Sequence, residues 1–490
     1  MKIFIATLGC KVNQYESQAI LETFCRAGYE KAHAANEADV IIINSCTVTA
    51  ESDKKVRKTL HKLRKENLTA IIALVGCLPQ AFPETMSQLA EADIILGNAN
   101  KTQVLEKVTD LASSRQKSTD IRPFESDEEF AKTTIECPSQ TTPDKMSQLN
   151  EADIILANAN KTQALENISK FNSTLQKITD IRPFKSDEKF AQTSISTFEE
   201  RTRAFVKIED GCNRFCSYCI IPYARGRVRS RPLEDIAAEV QVLARNGYKE
   251  VVLVGINLSA YGTDLDLTLC DAVEKVCAID GIKRVRLGSL EPEYLDKDTI
   301  KRLANQERLC PHFHLSLQSG CDATLKRMNR HYTSTEYYEI VQNLRENFEN
   351  VALTTDVMVG FAGETDEEFE HSLSFVKKVG FAKVHVFAYS IRSGTRAATF
   401  ENQVPPDVKK QRSQVMLAAV EESRRYFLNT QVGRVEPVLL EQQDSDGLWL
   451  GHTRNYTSVK MKSEANLQAQ IMPTKLTAVV SDECQGKLII

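Results

Sequence analysis

The chain has 490 residues, 42% apolar and 26% charged, with a formal net charge of −4; this length predicts about three domains and a well-filled core. No apolar run approaches a membrane span, and the start MKIFIATLGC lacks the features of a signal peptide, so an intracellular, cytoplasmic protein with no membrane partner is expected. The mildly acidic balance argues against a general DNA binder but leaves room for a local basic patch, and thirteen cysteines point to metal or redox chemistry and buried thiols, not disulfides.

Three apolar runs open the chain, KIFIATLGC, ADVIIINSC and TAIIALVGC, each ending in a cysteine: Cys10, Cys46 and Cys77. Helical stretches separate them. Parallel strands joined by crossover helices bring their carboxyl ends to one sheet edge, so three cysteines distant in sequence should meet. Three thiolates there predict a 4Fe–4S cluster with one iron left open.

Next comes a duplication. Met86 to Glu136 recurs as Met146 to Ser196 with about two thirds of positions identical. Copy one keeps Gly97 before Asn98, where copy two has Ala157. Copy one is expected to fill the sheet, with copy two packed as an extra unit or exchanged for it.

From Phe205 short apolar strands alternate with helices: AFVKI, EVVLVGIN, RVRLGSLEP, HFHLSLQSG, LTTDVMVGF and KVHVFAYS. Six such units predict an incomplete barrel of the TIM type, with chemistry at the strand carboxyl ends. Polar residues fall there: Cys212, Cys216 and Cys219 after the first strand, then Asn257, Glu291 and Gln318, Asp356 within the fifth, and Tyr389 and Ser390. Three cysteines suit a 4Fe–4S cluster with an open iron better than a closed zinc site, which needs a fourth ligand. Arg225, Arg227, Arg229 and Arg231, spaced by two in an extended segment, would share one face and could meet phosphates or be internally paired. His312 and His314 alternate, one of them expected inside the barrel. Cys25, Cys270, Cys277, Cys310, Cys321 and Cys484 follow no ligand spacing and read as packing thiols. The chain ends in β-rich runs and turns that predict a small antiparallel barrel.

Cys-x3-Cys-x2-Cys with Tyr218 before the last cysteine resembles the radical S-adenosylmethionine (SAM) superfamily. The resemblance implies that the open iron chelates SAM and that an electron cleaves it to a 5′-deoxyadenosyl radical, with Tyr218, Asn257, Glu291 and Gln318 expected to grip SAM. LGCKVNQYES, NSCTVTA, GCNRFCSYCIIPYARGRVRSR, LSLQSGCDATLKRMNR and DVMVGFAGET resemble the methylthiotransferases, closest to the bacterial MtaB type. Ala362 and Ile391 stand where that family usually has proline. The resemblance implies two 4Fe–4S clusters, SAM, a C-terminal TRAM domain, tRNA as partner, a reductant and a sulfur donor. It implies methylthiolation of carbon 2 of threonylcarbamoyl-adenosine beside the anticodon, the cluster on Cys10, Cys46 and Cys77 holding the sulfur. Alternatives are another adenosine, a ribosomal-protein aspartate, or a non-catalytic iron–sulfur RNA-binding protein. The expected division is 1–136 for the N-terminal α/β domain, 137–199 for the duplicated segment, 200–430 for the radical SAM barrel and 431–490 for TRAM.

Overall fold

A computed structural model describes residues 1–119, 177–185, 187–198 and 201–489. The amino-terminal sheet contains β1 (Lys2–Thr7), β2 (Glu30–Lys31), β3 (Val40–Ser45), β4 (Ile71–Gly76), β5 (Ile94–Gly97) and β6 (Ile178–Asp180). All pairings are parallel, in the order β2-β1-β3-β4-β5-β6. Helices cover both faces, which is why the central strands are near-continuous Ile, Val and Leu. Ile42, Ala73 and Val75 face Ile20 and Phe24 of α1 (Lys11–Arg26). Ile41, Ile72 and Leu74 face Val56 and Leu60 of α2 (Ala50–Glu66). Two short helices, α3 (Cys77–Ala81) and α4 (Pro83–Ser87), then lead into β5, and α5 (Val104–Thr119) follows it.

Both copies of the duplication contribute to this sheet. Copy one supplies β5 and α5, as expected, but the edge strand β6 comes from copy two and pairs Ile178 with Ile94. The strand Ile178–Asp180, inside the segment set apart as 137–199, therefore belongs to the N-terminal sheet, whereas Ile195 and Phe198 pack into the core of the central domain. Gly97 explains the choice at β5. A Cβ there would stand 2.2 Å from Gln80 Oε1. That oxygen accepts from the Ala99 amide at 3.1 Å, while Gln80 Nε2 donates to the Arg182 carbonyl at 2.8 Å. Ala157 of copy two would break this bridge. Copy two's own equivalent of β5 lies outside the described residues.

The central domain begins with β7 (Arg203–Lys207), and the ribbon of β8 (Glu209–Asp210) with β9 (Arg229–Ser230) closes the cysteine loop. Then follow β10 (Glu250–Val254), β11 (Arg284–Leu287) continuing as β12 (Ser289–Leu290), β13 (His312–Leu315), β14 (Ala352–Val359) and β15 (Lys383–Ala388). They form parallel arrays in the orders β11-β10-β7 and β12-β13-β14-β15, leaving β7 and β15 as open edges. This is the expected incomplete six-stranded barrel, and α1 packs beside its open edge at β7. Phe313, Leu315, Val357 and Val359 pack outward against the helices. The period of two turns their neighbours inward, so both His312 and His314 face the lumen, where one was expected.

At the carboxyl end, β16 (Val435–Gln443), β17 (Trp449–His452), β18 (Ser458–Met461), β19 (Ile471–Val480) and β20 (Glu483–Leu488) close a barrel around Val438, Leu440, Trp449, Val459 and Leu476. This small barrel caps the floor of the central one, at the amino ends of its strands. Arg203 pairs with Glu441 at 3.1 Å, and Arg286 donates to the Arg454 carbonyl at 3.0 Å. The Tyr456 ring lies 5.1 Å from the Arg203 guanidinium and 4.7 Å from that of Arg286, stacked on His452 at 4.4 Å. Among the described residues no helix is long and apolar enough to cross a membrane.

Candidate active site

Cys10 follows β1 as the N-cap of α1, Cys46 follows β3, and Cys77 opens α3 after β4. Because β1, β3 and β4 are adjacent and parallel, the three thiols converge on one sheet edge. Backbone and side chain crowd together there: a Cβ on Gly9, whose φ is +123°, would stand 2.7 Å from Cys46 Cβ. Burial pushes the Cys46 thiol up to about 11, with Cys77 and Cys10 adding to the rise. A thiol placed as Cys46 is stays protonated unless a metal holds it as the thiolate. Asn98, at the end of the next strand, donates to Cys77 Sγ at 3.3 Å.

Arg225 ties this site to the barrel. It is fully buried. Its Nε donates to Cys77 Sγ at 3.3 Å, and its other nitrogens reach Glu16 at 2.7 Å, Asn13 at 2.7 Å and Asp210 at 3.2 Å. Glu16 also receives Lys101 at 2.6 Å and Lys207 at 2.7 Å. Burial alone would raise the Glu16 carboxyl, yet Arg225, Lys101 and Lys207 hold it well below the usual carboxylate range. The shared arginine face therefore does not form. Arg229 is buried against Asp210 at 3.5 Å and Arg231 against Glu239 at 2.7 Å, and of the four only Arg227 is exposed. The physical reason is that Arg225 ends a short helix, Ile221–Arg225, and the ribbon that follows packs inward against α1.

The second thiol set lies at the barrel mouth. Burial pushes the Cys212 thiol up to about 12, with Cys216 adding to the rise, and burial likewise raises Cys219, where Cys216 and Cys212 add to it. Asn257 Nδ2 lies 3.9 Å from Cys212 Sγ. Its Oδ1 and the Oε1 of Gln318 are buried acceptors without a donor. Gln318 holds a φ of +65°, a strained backbone for a side chain of its size. Tyr218 is half-buried, edge-on to Phe361 at 6.3 Å. Glu291 is already engaged by Arg330, which also donates to Cys216 Sγ at 3.3 Å. The sequence reading missed Arg330, Asn98 and Asn13. Arg330 closes the motif LKRMNR, and Asn98 occupies the strand-end position that Cys46 and Cys77 occupy on neighbouring strands. Among the described residues no three Cys, His, Asp or Glu side chains close on a single metal ion. A structural zinc site takes four closed ligands, whereas an iron–sulfur cluster carries its thiolates on separate irons.

The model of the radical SAM superfamily matches residues 206–376, and that of an uncharacterized family, UPF0004, matches residues 2–97. A threonylcarbamoyladenosine tRNA methylthiotransferase, MtaB, from Aquifex aeolicus is 31% identical over 94% of this chain and 96% of its own. The Thermotoga maritima MtaB is 32% identical over 92% and 89%. The chain belongs to the MtaB type of radical SAM methylthiotransferases. A tRNA-2-methylthio-N(6)-dimethylallyladenosine synthase from Clostridium botulinum strain Loch Maree is also similar, 33% identical over 100% of this chain and 97% of its own. Among solved structures, the radical SAM methyltransferase TsrM from Kitasatospora setae shares the fold with a TM-score of 0.52 at 12% identity, covering 81% of this chain and 74% of that one.

Methylthiotransferases of this type work with 4Fe–4S clusters and SAM. The residues present fit both groups. Each site offers three thiols, the donors an iron–sulfur cluster takes, and the mouth adds two buried oxygens that await hydrogen-bond donors such as SAM carries.

Proposed function

We propose that this methylthiotransferase acts on threonylcarbamoyl-adenosine in tRNA and places the methylthio group on carbon 2. The bound clusters and SAM would supply the radical and sulfur chemistry; the chain positions the reactants. Cys212, Cys216 and Cys219 would carry the cluster that meets SAM. Asn257 and Gln318 would accept from SAM, Tyr218 would flank it, and Arg330 would hold Glu291 and Cys216 in place. Cys10, Cys46 and Cys77 would carry the second cluster, with Asn98 and Arg225 donating to Cys77.

The observation that carries the choice of adenosine is the near full-length match to the MtaB relatives; the polarity of the barrel lumen agrees with it. The two groups of relatives act on bases with opposite side chains, one bearing a carboxylate and one an apolar dimethylallyl group. Here the lumen is polar. His314 Nε2 lies 3.3 Å from the Asp356 carboxylate and its Nδ1 3.0 Å from Thr354 Oγ1; the His385 ring stands 6.1 Å away. An apolar substituent set against these groups would find little apolar surface to bury on. The test is anaerobic reaction of the reconstituted enzyme with two tRNAs, one carrying each modified adenosine, followed by nucleoside analysis. The methylthio product is expected from the threonylcarbamoyl substrate. Product from the dimethylallyl substrate alone would refute the assignment.

A further inference from the structure

Two aromatic rings stand on the surface, on the segments that carry the two thiol sites. Phe215 is 44% exposed and Tyr223 58% exposed, and the rings meet edge to face with centroids 5.8 Å apart. Phe215 belongs to the cysteine loop of the barrel mouth. Tyr223 lies on the short helix Ile221–Arg225, whose Ala224 carbonyl accepts from Asn98 at 2.7 Å and whose Arg225 donates to Cys77. The exposure of Phe215 is held at a cost. Its φ is +50°, a left-handed conformation rare for a bulky side chain. Asn329 maintains it, donating from Nδ2 to the Phe215 carbonyl at 3.1 Å and to the Arg214 carbonyl at 3.4 Å. The Ser217 amide anchors the other flank on the Met328 carbonyl at 3.0 Å. A bulky residue kept in a strained turn while its ring faces solvent serves something other than the core. An exposed cation lies beside this loop. Arg227 pairs with no carboxylate among the described residues. Its carbonyl packs so closely on the cysteine loop that a Cβ on Gly211 would stand 1.9 Å from it.

We propose that Phe215 and Tyr223 form a stacking platform for the unpaired bases beside the target adenosine of tRNA, with Arg227 meeting their phosphates. This rests on tRNA as the substrate in the reading above. A base that reacts at the thiol sites must leave its own stack, and its neighbours then offer faces that aromatic rings can cover. Rings accept any sequence, because every base has a π-face, and the cation matches the charge of the backbone that carries those bases. An acidic flavoprotein that delivers electrons is the competing occupant, and the test separates the two.

The experiment uses the full-length reconstituted enzyme and an anticodon stem–loop RNA, with a second RNA made abasic on both sides of the target adenosine. Affinity is read by anisotropy without SAM at several salt concentrations, and iron content is compared throughout. The parent should bind the abasic RNA about 5- to 150-fold more weakly, the range of one stacked base. Tyr223→Leu and Phe215→Leu should each weaken binding of the intact RNA toward that level, with the salt slope unchanged and the abasic RNA bound as by the parent. Tyr223→Phe and Phe215→Tyr should bind the intact RNA as the parent does. Arg227→Ala should instead reduce the salt slope by about one. The flanking bases carry these effects whichever modified adenosine the RNA holds, so a wrong choice of adenosine shows in the methylthio product and not in this affinity. A parent that binds intact and abasic RNA alike would overturn the platform, a result that does not depend on any variant folding. So would Leu variants that bind intact RNA as the parent does but are reduced more slowly by a reduced flavoprotein, which would make the patch a docking site for an electron donor.

Discussion

Arg225 lies in the middle of a motif that reads as a basic stripe, yet its surroundings make it a structural charge. Removing it leaves Glu16 and Asp210 short of a partner inside the protein. Arg225→Leu should therefore cost about 3 kcal/mol or more of stability, seen as a lower urea midpoint, and Arg225→Lys should recover part of it. A destabilised tRNA complex with a reduced salt slope, but unchanged protein stability, would return Arg225 to a phosphate-binding role. At the barrel floor, Glu250 makes the converse case. Burial pushes its carboxyl up, but Arg286, Arg203 and Arg284 outweigh burial and bring it down to about 2. Because the folded value lies below the unfolded one, about 4.3 for a free glutamate, this stabilisation is complete above the unfolded value. It fades as pH falls toward the folded value. Unfolding measured against pH should show the gap between the parent and Glu250→Gln constant above roughly pH 5 and shrinking toward pH 2. A gap independent of pH across that window would show that the ion pair is not its source.

Among the elements, the edge strand β6 is the one that could be built in two ways. Copy one has Thr119, Asp120, Ile121, Arg122, Pro123 and Phe124 in register with Thr179 to Phe184, so a sixth strand is written twice. Three places differ where contacts are made. Ile178 pairs with Ile94, and its counterpart is Ser118. Ser196 donates to Glu22 from its amide at 2.9 Å and its hydroxyl at 3.0 Å, and its counterpart is Glu136. Thr197 also donates its amide to Glu22 at 3.0 Å, and its counterpart is Cys137. Two excisions of equal length separate the copies. Removing residues 118–177 keeps every contact named here. Removing residues 138–197 puts Ser118 under the sheet edge and Glu136 against Glu22. Both should fold, and the second should be less stable by about 1–2 kcal/mol from lost apolar burial and like-charge repulsion. Equal midpoints in denaturant would mean that the two copies are equivalent at this edge.

For the whole molecule, the question is whether the two thiol sites work separately. They lie on different sheets and are joined through Arg225 and Asp210. Replacing Cys10, Cys46 and Cys77 with Ala takes an acceptor from Asn98 and Arg225, at about 1–3 kcal/mol, but Arg225 keeps Glu16 and Asp210. The triple variant should fold, take up about half the parent's iron on reconstitution, and still form 5′-deoxyadenosine from SAM without thiolating tRNA. Replacing Cys212, Cys216 and Cys219 should abolish SAM cleavage. Thiolation by the first variant would remove the sulfur-carrying role from the N-terminal site. The small carboxyl-terminal barrel sits on the floor, opposite the mouth, so RNA that touches both must pass along the side of the central barrel.

What the sequence determined alone is what depends on period and strand ends. Alternating apolar runs and helices dictate parallel sheets, and parallel sheets place Cys10, Cys46 and Cys77 on one edge whatever else happens, because crossover connections leave no other arrangement. The same logic placed Cys212, Asn257, Glu291 and Gln318 at one mouth. What the tertiary structure decided is where charge goes. Spacing cannot tell a solvent-facing arginine from one aimed at Glu16, since the carboxylate lies about two hundred residues away and only packing of α1 on the barrel brings it near.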